Sequence, residues 1–254
     1  MEVRILASGT DAPNSAFYAT AFVINRTLAI DAGSLGFYGL PETQAQIRHI
    51  FLTHSHADHT ATLPIMVENG FDLTQPAVTV HGNRATLEGV SNHIFNDVMW
   101  PDFIRLSRPE RPFLRLHEIE AERPIEVEGL TILPVPVNHI VPTFGYIVSD
   151  GESTAIFGGD SGPTDRIWEL ARRTKVPRSV FIECSFPNSM PEFAALTGHL
   201  TPALLAEERL KMPPMQRVIV VHIKQKFREA ILGELGGLTI EGLEAGRGGI
   251  VYHV

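Results

Sequence analysis

The stretch IFLTHSHADH, residues 50–59, decides how the rest of this sequence is interpreted. Three histidines and an aspartate lie between positions 54 and 59, directly after an apolar run that predicts a buried strand. Polar side chains crowded at one strand end repel or compete unless a ligand binds them together. Divalent cations do so, because neutral imidazole and carboxylate are their preferred ligands when thiolate is absent. His54 and His56 are two positions apart and point the same way in an extended chain.

The composition narrows the chemistry of such a site. The chain has 254 residues, 21 Lys+Arg against 29 Asp+Glu and a formal net charge of −8, and 44% of its residues are hydrophobic. These values are typical of a globular protein and unfavourable for nonspecific binding to nucleic acid or to an anionic membrane. With 11 histidines and 1 cysteine, the chain excludes a disulfide framework and a multi-cysteine zinc site. No apolar run is long enough to span a membrane and no secretory signal is visible, so we expect a cytoplasmic protein.

The predicted elements alternate in a way that indicates two sheets covered by helices in one compact unit, residues 1–254. Strands are predicted at Val3–Leu6, Thr20–Ile24, Leu28–Ile30, Ile47–Thr53, Ala77–His81, Ile125–Val127, Thr131–Val137, Phe144–Val148, Thr154–Phe157, Val180–Glu183 and Arg217–Val221. Helices are predicted at Thr60–Asn69, Arg84–Phe95, Thr164–Arg173, Pro202–Lys211 and Gln225–Leu235. Between them, residues 96–123 have no clear periodicity, and we interpret this segment as an irregular insertion or lid.

Three further polar residues follow predicted strands. His139 comes after Thr131–Val137, Asp160 comes after Thr154–Phe157, and His222 ends the apolar run before it. Ligand sites of layered α/β proteins commonly lie at the carboxyl ends of strands. Each residue alone is weak evidence, since a lone histidine after a strand is more often a hydrogen-bonded boundary residue. Together with the cluster at 54–59 they form a coherent ligand set.

The string THSHADH, residues 53–59, resembles the HxHxDH signature of the metallo-β-lactamase superfamily. His139, Asp160 and His222 match the remaining ligands of that superfamily in order and rough spacing. The opening SGTDAP (residues 8–13) and LAIDAGS (residues 28–34) also resemble its first strands. The resemblance implies an α/β fold: a four-layer αββα sandwich of two mixed β-sheets flanked by helices.

The resemblance also implies a binuclear site for two divalent metal ions, zinc first, with manganese or iron as alternatives. One ion would be bound by His54, His56 and His139. The other would be bound by Asp58, His59 and His222. Asp160 would bridge the two ions.

Three other strings resemble the phosphodiesterase branch, which contains ribonuclease Z and the class II cyclic-nucleotide phosphodiesterases. They are FNDVMWPDF (residues 95–103), FIECSFPNS (181–189) and GHLTP (198–202). The leading prediction is a two-metal hydrolase that converts a 3',5'-cyclic nucleotide, cAMP or cGMP, to a nucleoside 5'-monophosphate by attack of a hydroxide shared by the ions. His199 is the candidate general acid, because it belongs to neither ligand set, although a histidine bonded only to backbone remains its plain alternative. Asp58 is a second catalytic candidate, orienting or deprotonating the nucleophile.

Three alternatives stay open at this point. A ribonuclease Z-like endonuclease would process precursor tRNA 3' ends, but the sequence shows no Gly/Pro-rich basic arm and its acidic charge disfavours a long polyanion. Hydrolysis of a thioester or lactam would use the same hydroxide without needing His199. A non-catalytic metal-binding or sensor protein would be surprising with a complete ligand set. The expected partner is a small anionic phosphodiester, with nucleic acid disfavoured, no membrane, and a homodimer possible.

Several conspicuous residues receive a structural interpretation. Arg105, Arg108, Arg111 and Arg115 could form a phosphate-facing patch, but solvated arginines are favoured. Trp100, Phe103, Phe144 and Phe186 are interpreted as core rather than as a base-stacking platform. His49, His81, His93, His117 and His253 are interpreted as structural or surface residues, and Cys184 as a packing residue.

Overall fold

The fold is built on two mixed β-sheets. The computed structural model describes residues 1–8, 19–71, 76–110, 112–175 and 178–254. The strands of the first sheet are β1 (Glu2–Ile5), β2 (Phe22–Ile24), β3 (Leu28–Ile30), β4 (His49–Phe51), β5 (Val78–Gly82), β6 (Leu114–Glu118) and, at the far end of the sequence, β14 (Val251–His253). Those of the second sheet are β7 (Ile125–Val127), β8 (Leu130–Val137), β9 (Thr143–Ser149), β10 (Thr154–Phe157), β11 (Arg178–Glu183), β12 (Arg217–Val221) and β13 (Leu243–Ala245).

The helices follow the strands along the sequence. They are α1 (Pro41–Gln44), α2 (Ala57–Thr60), α3 (Leu63–Gly70), α4 (Arg84–His93), α5 (Phe103–Leu106), α6 (Arg166–Ala171), α7 (Pro191–Thr197), α8 (Pro202–Lys211) and α9 (Arg228–Gly236), with 3₁₀ turns at Leu35–Phe37 and Gln225–Phe227. The side chain of Asn83 caps α4 by accepting from the Thr86 amide at 2.9 Å. Thr201 caps α8, with Pro202 at the first helical position, where a missing amide proton costs nothing. None of the helices in the described residues is long and apolar enough to cross a membrane.

Each sheet combines a parallel half with an antiparallel half. The first has the order β14-β1-β2-β3-β4-β5-β6 and the second β13-β12-β11-β10-β9-β8-β7. The run β3-β4-β5-β6 is parallel, as is β10-β11-β12-β13. Carboxyl ends of parallel strands share one edge of a sheet, so residues that follow β4, β10, β11 and β12 are brought toward each other.

Three apolar clusters show that the described residues form four layers. The cluster between the two sheets includes Phe51, Tyr146 and Phe157, all at most 1% exposed. Leu63 and Val90 lie in a second cluster, between the first sheet and its helices. A third cluster covers the outer face of the second sheet with helical residues such as Trp168. The αββα arrangement of two mixed sheets is therefore confirmed.

The segment 96–123 is more regular than the sequence indicates. It contains α5 and β6, and β6 pairs in parallel with β5 from Val78↔Leu114 to Gly82↔Glu118. The sequence LRLHE does alternate, but its surroundings of proline and arginine conceal this short edge strand. The expected helix Thr60–Asn69 is divided into α2 and α3, because the chain turns at Ala61–Thr62. The edge strands β13 and β14 and the helices α1 and α7 are not predicted from the sequence.

Three histidines, one each from β4, β5 and β6, form a chain of ring contacts across the first sheet. His49 Nδ1 lies 2.9 Å from His81 Nε2, and His81 Nδ1 lies 2.9 Å from His117 Nδ1. The His81 ring is 2% exposed and stacks on Phe51, with ring centroids 4.1 Å apart. Each contact needs one donor and one acceptor nitrogen, so the proton positions of the three rings depend on one another. The structural interpretation of these histidines agrees with their contacts.

Acid should destabilise the fold through His81. Burial, with the neighbouring His49 and His117, lowers the pKa of His81 to about 3. Below the ordinary histidine pKa the unfolded chain binds a proton that the folded chain does not, so the free energy of unfolding falls as pH decreases, by up to about 1.4 kcal/mol per pH unit. We expect His81→Asn to have a shallower decrease between pH 6.5 and 4 in urea unfolding. His93→Asn, at an exposed histidine, should keep the wild-type slope. Equal slopes for wild type and His81→Asn would contradict this account.

Candidate metal centre

Four of the polar residues expected at the site follow the ends of four strands. His54 lies just beyond β4, His139 beyond β8, Asp160 beyond β10, and His222 directly after β12. His56 is the N-cap residue of α2, which begins at Ala57 and carries the remaining two members, Asp58 and His59. The structure brings all seven sequence-predicted residues together, in two groups whose nitrogen and oxygen atoms lie within 4.8 Å of one another.

The first group consists of three imidazoles: His54, His56 and His139. His139 Nε2 lies 3.4 Å from His56 Nδ1, while His139 Nδ1 lies 2.9 Å from the carbonyl oxygen of Gly198. Gly198 has a φ of +69°, and a Cβ there would lie 2.9 Å from His139 Nδ1, so only glycine fits this contact. His54 Nε2 is buried and has no hydrogen-bond partner among the described residues. A buried ring nitrogen without a partner, facing two more imidazoles, is a ready ligand.

The second group combines carboxylates and imidazoles: Asp58, His59, Asp160 and His222. His222 Nε2 lies 3.1 Å from Asp58 Oδ2 and 3.4 Å from His59 Nε2. His222 has a φ of +54°, an unusual backbone conformation for a residue with a Cβ. Such conformations cost about 1 kcal/mol or more and persist where the surroundings enforce them.

Asp160 lies between the groups. Its Oδ2 atom is 3.9 Å from His54 Nε2 of the first group and 3.3 Å from both His59 Nε2 and His222 Nε2 of the second. Asp160 is 2% exposed, so its carboxylate is not solvated by bulk water. One oxygen therefore faces both candidate metal positions.

The protonation states suit metal binding. Burial lowers the pKa of His54, and the neighbouring His59 lowers it further. Burial also lowers the pKa values of His56 and His139, so the first group is neutral at physiological pH. For Asp160, burial alone raises the pKa, but the charges of His222 and His59 outweigh it and hold the pKa well below its usual range. Neutral imidazoles and an ionised carboxylate are the forms that bind divalent cations.

Asp31 supports His59 from behind and is not predicted from the sequence. Its Oδ2 atom lies 2.7 Å from His59 Nδ1, and its Oδ1 accepts from the Thr53 amide at 2.8 Å. Burial lowers the pKa of His59, but Asp160 and Asp31 outweigh it and raise the pKa well above its ordinary value. The two carboxylates thus require positive charge at this point, which a proton or a metal cation supplies. The string LAIDAGS contains Asp31 after a strand, a signal that could have identified it.

His199 lies beside the metal groups on a buried carboxylate. Its Nδ1 atom is 2.6 Å from Glu183 Oε1, and its ring lies against those of His139 and His222, with centroids 5.1 and 5.6 Å apart. Burial lowers the pKa of His199, but the hydrogen bond and the charge of Glu183 outweigh it and the net shift is upward. Glu183 is also not predicted from the sequence, although it ends β11, the strand between the two that lead to Asp160 and His222.

The donor set fits two divalent cations. All members are nitrogen or oxygen ligands, His54 offers an unpartnered buried nitrogen, and Asp160 faces both groups. This set suits zinc, manganese or iron, since no sulfur contributes. Metal-binding histidines usually give their second ring nitrogen to a carboxylate or carbonyl, as His59 does with Asp31 and His139 with Gly198.

Other conspicuous residues lie apart from the centre. Arg105 pairs with Asp97 at 2.7 Å, and Arg115 lines a cavity with His49 at the opposite side of the first sheet. The expected aromatic core positions Phe103, Phe144 and Phe186 are buried, as is Cys184. Arg111 and residues 9–13 of the SGTDAP string lie outside the described residues.

Comparison with known proteins agrees with this geometry. The profile of a family described as the beta-lactamase superfamily domain matches residues 30–223. A probable 3',5'-cyclic-nucleotide phosphodiesterase from Yersinia pestis is 27% identical over 221 residues, covering 74% of this chain and 62% of that protein. Ribonuclease Z from Methanocaldococcus jannaschii is 26% identical over 109 residues, covering 41% of this chain and 32% of that protein. The chain thus spans less than two thirds of the length of these curated relatives.

Solved structures share the fold. Unliganded yeast PDE1 superposes with a TM-score of 0.73 at 19% identity, covering 98% of both chains. The metallo-beta-lactamase fold protein YhfI from Bacillus subtilis gives a TM-score of 0.72 at 16% identity, covering 99% of both chains.

Removing the shared carboxylate should lower the metal content. We expect Asp160→Ala to retain at most one divalent ion per chain after dialysis against buffer with micromolar zinc, whereas wild type retains two, because one oxygen faces both groups. Metal content is measured by plasma mass spectrometry. Asp165→Ala, at a carboxylate whose side chain is 76% exposed, serves as the control and should retain both ions. A fully loaded Asp160→Ala protein would contradict the bridging position.

Proposed function

The chain belongs to the beta-lactamase superfamily, and on that premise we propose that it is a metal-dependent hydrolase of phosphodiester bonds. The substrate proposed first is a 3',5'-cyclic nucleotide such as cAMP or cGMP, opened to a nucleoside 5'-monophosphate. When bound, two divalent cations would lower the pKa of a water toward about 7 and neutralise charge on the phosphoryl oxygens. His54, His56 and His139 would hold one, and Asp58, His59 and His222 the other, with Asp160 between them.

The observation that carries the proposal is a proton donor built into the same opening. Hydrolysis of a phosphodiester expels an alkoxide, which needs a proton as it leaves. His199 has its Nδ1 held by Glu183, so its Nε2 is left for a substrate. The net upward shift of the His199 pKa is in the direction that favours the protonated ring an acid requires. A sensor protein or a passive metal store has no use for a proton donor beside the metal-binding imidazoles.

Asp58 and Lys224 lie together at the part of the site where we expect the substrate phosphate to bind. Lys224 Nζ lies 3.2 Å from Asp58 Oδ2, the same oxygen that lies 3.1 Å from His222 Nε2. Burial raises the pKa of Asp58, but the hydrogen bond from His222, with the charges of His59 and Lys224, holds it far below its usual range. We assign to the ionised Asp58 the orientation of the nucleophile, and to the half-exposed Lys224 an oxygen of the substrate phosphate.

An apolar cavity begins beside these charged groups. It is lined by Asp58, His222 and Lys224 on one wall and by Leu6, Phe22 and Val221 among its apolar residues. Such a wall suits the uncharged part of a small phosphodiester. The similarity to 3',5'-cyclic-nucleotide phosphodiesterases from Yersinia pestis and yeast favours a cyclic nucleotide. The similarity to ribonuclease Z makes precursor tRNA the second candidate.

The proposal is tested with a substrate panel. We expect hydrolysis of bis(p-nitrophenyl) phosphate and of cAMP or cGMP, abolished by chelation and restored by zinc or manganese. The products are separated by chromatography, and 3'-O–P cleavage to the 5'-monophosphate is expected. A metal-restored activity on precursor tRNA alone would replace the first substrate by the second. No activity on any phosphodiester with two metals bound would overturn the proposed function.

His199 should matter in proportion to the quality of the leaving group. We expect His199→Ala to keep its metals and to lose about 10²–10⁴-fold in kcat on cAMP, because a ribose alkoxide needs a proton. On bis(p-nitrophenyl) phosphate the loss should be far smaller, since p-nitrophenolate leaves unprotonated. His253→Ala, at an exposed histidine, is the control. Equal losses on the two substrates would remove the acid role from His199.

Lys224 should act in binding. We expect Lys224→Met to raise KM for the phosphodiester by about tenfold or more with little change in kcat, because a charge-assisted hydrogen bond to phosphate is lost equally from ground and transition states. Lys226→Met, an exposed lysine two positions away, should leave KM unchanged. An unchanged KM in Lys224→Met would show that its ammonium serves only Asp58.

A further inference from the structure

Ser185 stands at the centre of the hydrogen bonds behind the metal groups, although nothing in the proposed chemistry uses it. It follows β11 directly after Cys184 and is fully buried, at 0% exposed. Its Oγ atom lies 2.9 Å from Glu183 Oε2 and 2.9 Å from His222 Nδ1. The same atom is 3.1 Å from the His222 carbonyl oxygen and 3.4 Å from His199 Nδ1.

The chemistry of these groups sets the direction of the hydrogen bonds. His222 Nε2 lies 3.1 Å from Asp58 Oδ2 and 3.3 Å from Asp160 Oδ2. A metal held here would take the Nε2 lone pair in place of the hydrogen bond to Asp58, which leaves the ring proton on Nδ1. That Nδ1–H then donates to Ser185 Oγ. A hydroxyl has one proton to give, and the Glu183 carboxylate is a better acceptor than the more distant His222 carbonyl. The hydrogen bonds therefore run from His222 Nδ1–H to Ser185 Oγ and from the Ser185 hydroxyl to Glu183 Oε2.

The two carboxylate oxygens of Glu183 have different partners: one contacts the proton donor His199, and the other contacts Ser185, which contacts the metal-binding ring of His222. Oε1 accepts from His199 Nδ1 at 2.6 Å and from the Ser161 amide at 3.1 Å. Oε2 accepts from Ser185 at 2.9 Å and from the Leu200 amide at 3.3 Å. With Glu183 1% exposed, these donors replace water around a buried carboxylate.

We propose that Ser185 is a positioning residue whose hydroxyl ties the metal-binding ring of His222 to Glu183, the carboxylate that holds His199. It fixes the His222 tautomer with Nε2 free for the metal and orients a ring whose backbone is in the left-handed region. One carboxylate thereby aligns both a metal ligand and the proton donor. The proposal rests on the function proposed above, in which His222 binds a metal and His199 donates a proton. Outer partners of metal-binding histidines typically contribute tenfold to a hundredfold in metal affinity.

The test removes the hydroxyl and measures metal binding without substrate. We compare wild type, Ser185→Ala and Ser179→Ala by zinc competition with a chromophoric chelator. Ser179 is a matched control, because it lies on the same strand, is 0% exposed, and its hydroxyl has no hydrogen-bond partner among the described residues. We expect Ser185→Ala to bind one of its two zinc ions at least about tenfold more weakly, while Ser179→Ala matches wild type. The visible absorption of the cobalt(II)-substituted protein should change in the same variant only, because the ligand ring is no longer held.

Ser185→Gly provides a second variant, because it also lacks the hydroxyl and introduces no new metal-binding group. It should show the same loss, and it keeps the test available if the alanine variant does not fold. Unchanged zinc affinity and cobalt spectra in the folded Ser185 variants would overturn the positioning role. Because zinc affinity is measured without substrate, weakened zinc binding in a protein that hydrolyses no phosphodiester would refute the proposed function and leave the role of Ser185 standing.

Discussion

The burial of three carboxylates at the ends of parallel strands is the constraint on which the rest of this site depends. Asp31, Asp160 and Glu183 are each at most 2% exposed. A buried carboxylate without a partner is too costly for a fold to keep, so each must be met by donors or cations. Histidines do this: His59 joins Asp31 to Asp160, and His199 lies on Glu183. Folding and metal binding are thus linked through the same side chains.

The two-sheet architecture supplies the geometry that the carboxylates require. Asp31 follows β3 of the first sheet, while Asp160 and Glu183 belong to adjacent parallel strands of the second. The face-to-face packing of the sheets brings their strand ends to one opening. The antiparallel halves carry no member of the site except His139, which follows β8 and reaches the centre through its contact with Gly198. Most of the proposed ligands follow the ends of packed strands, an arrangement that preorganises the site.

What the sequence predicts depends on how local the signal is. The cluster at 54–59 is contiguous, so its chemistry is visible without a fold, and His139, Asp160 and His222 follow from their positions after apolar runs. Asp31 and Glu183 are harder, because the histidine that each of them contacts lies 28 or 16 residues away. The edge strands β6, β13 and β14 are short and half-exposed, so their patterns are weak, and their pairing partners lie far along the chain. The role proposed for Ser185 depends on Glu183, His199 and His222 at once, and no sequence periodicity indicates that combination.

The central claim is that this opening binds two divalent ions through two distinct ligand sets that share Asp160. Anomalous diffraction at the zinc edge from crystals of the zinc-loaded protein tests it most directly. The account predicts two peaks, one against His54, His56 and His139 and one against Asp58, His59 and His222, with the Asp160 carboxylate in contact with both. A single peak, or a second ion bound outside these residues, would contradict it.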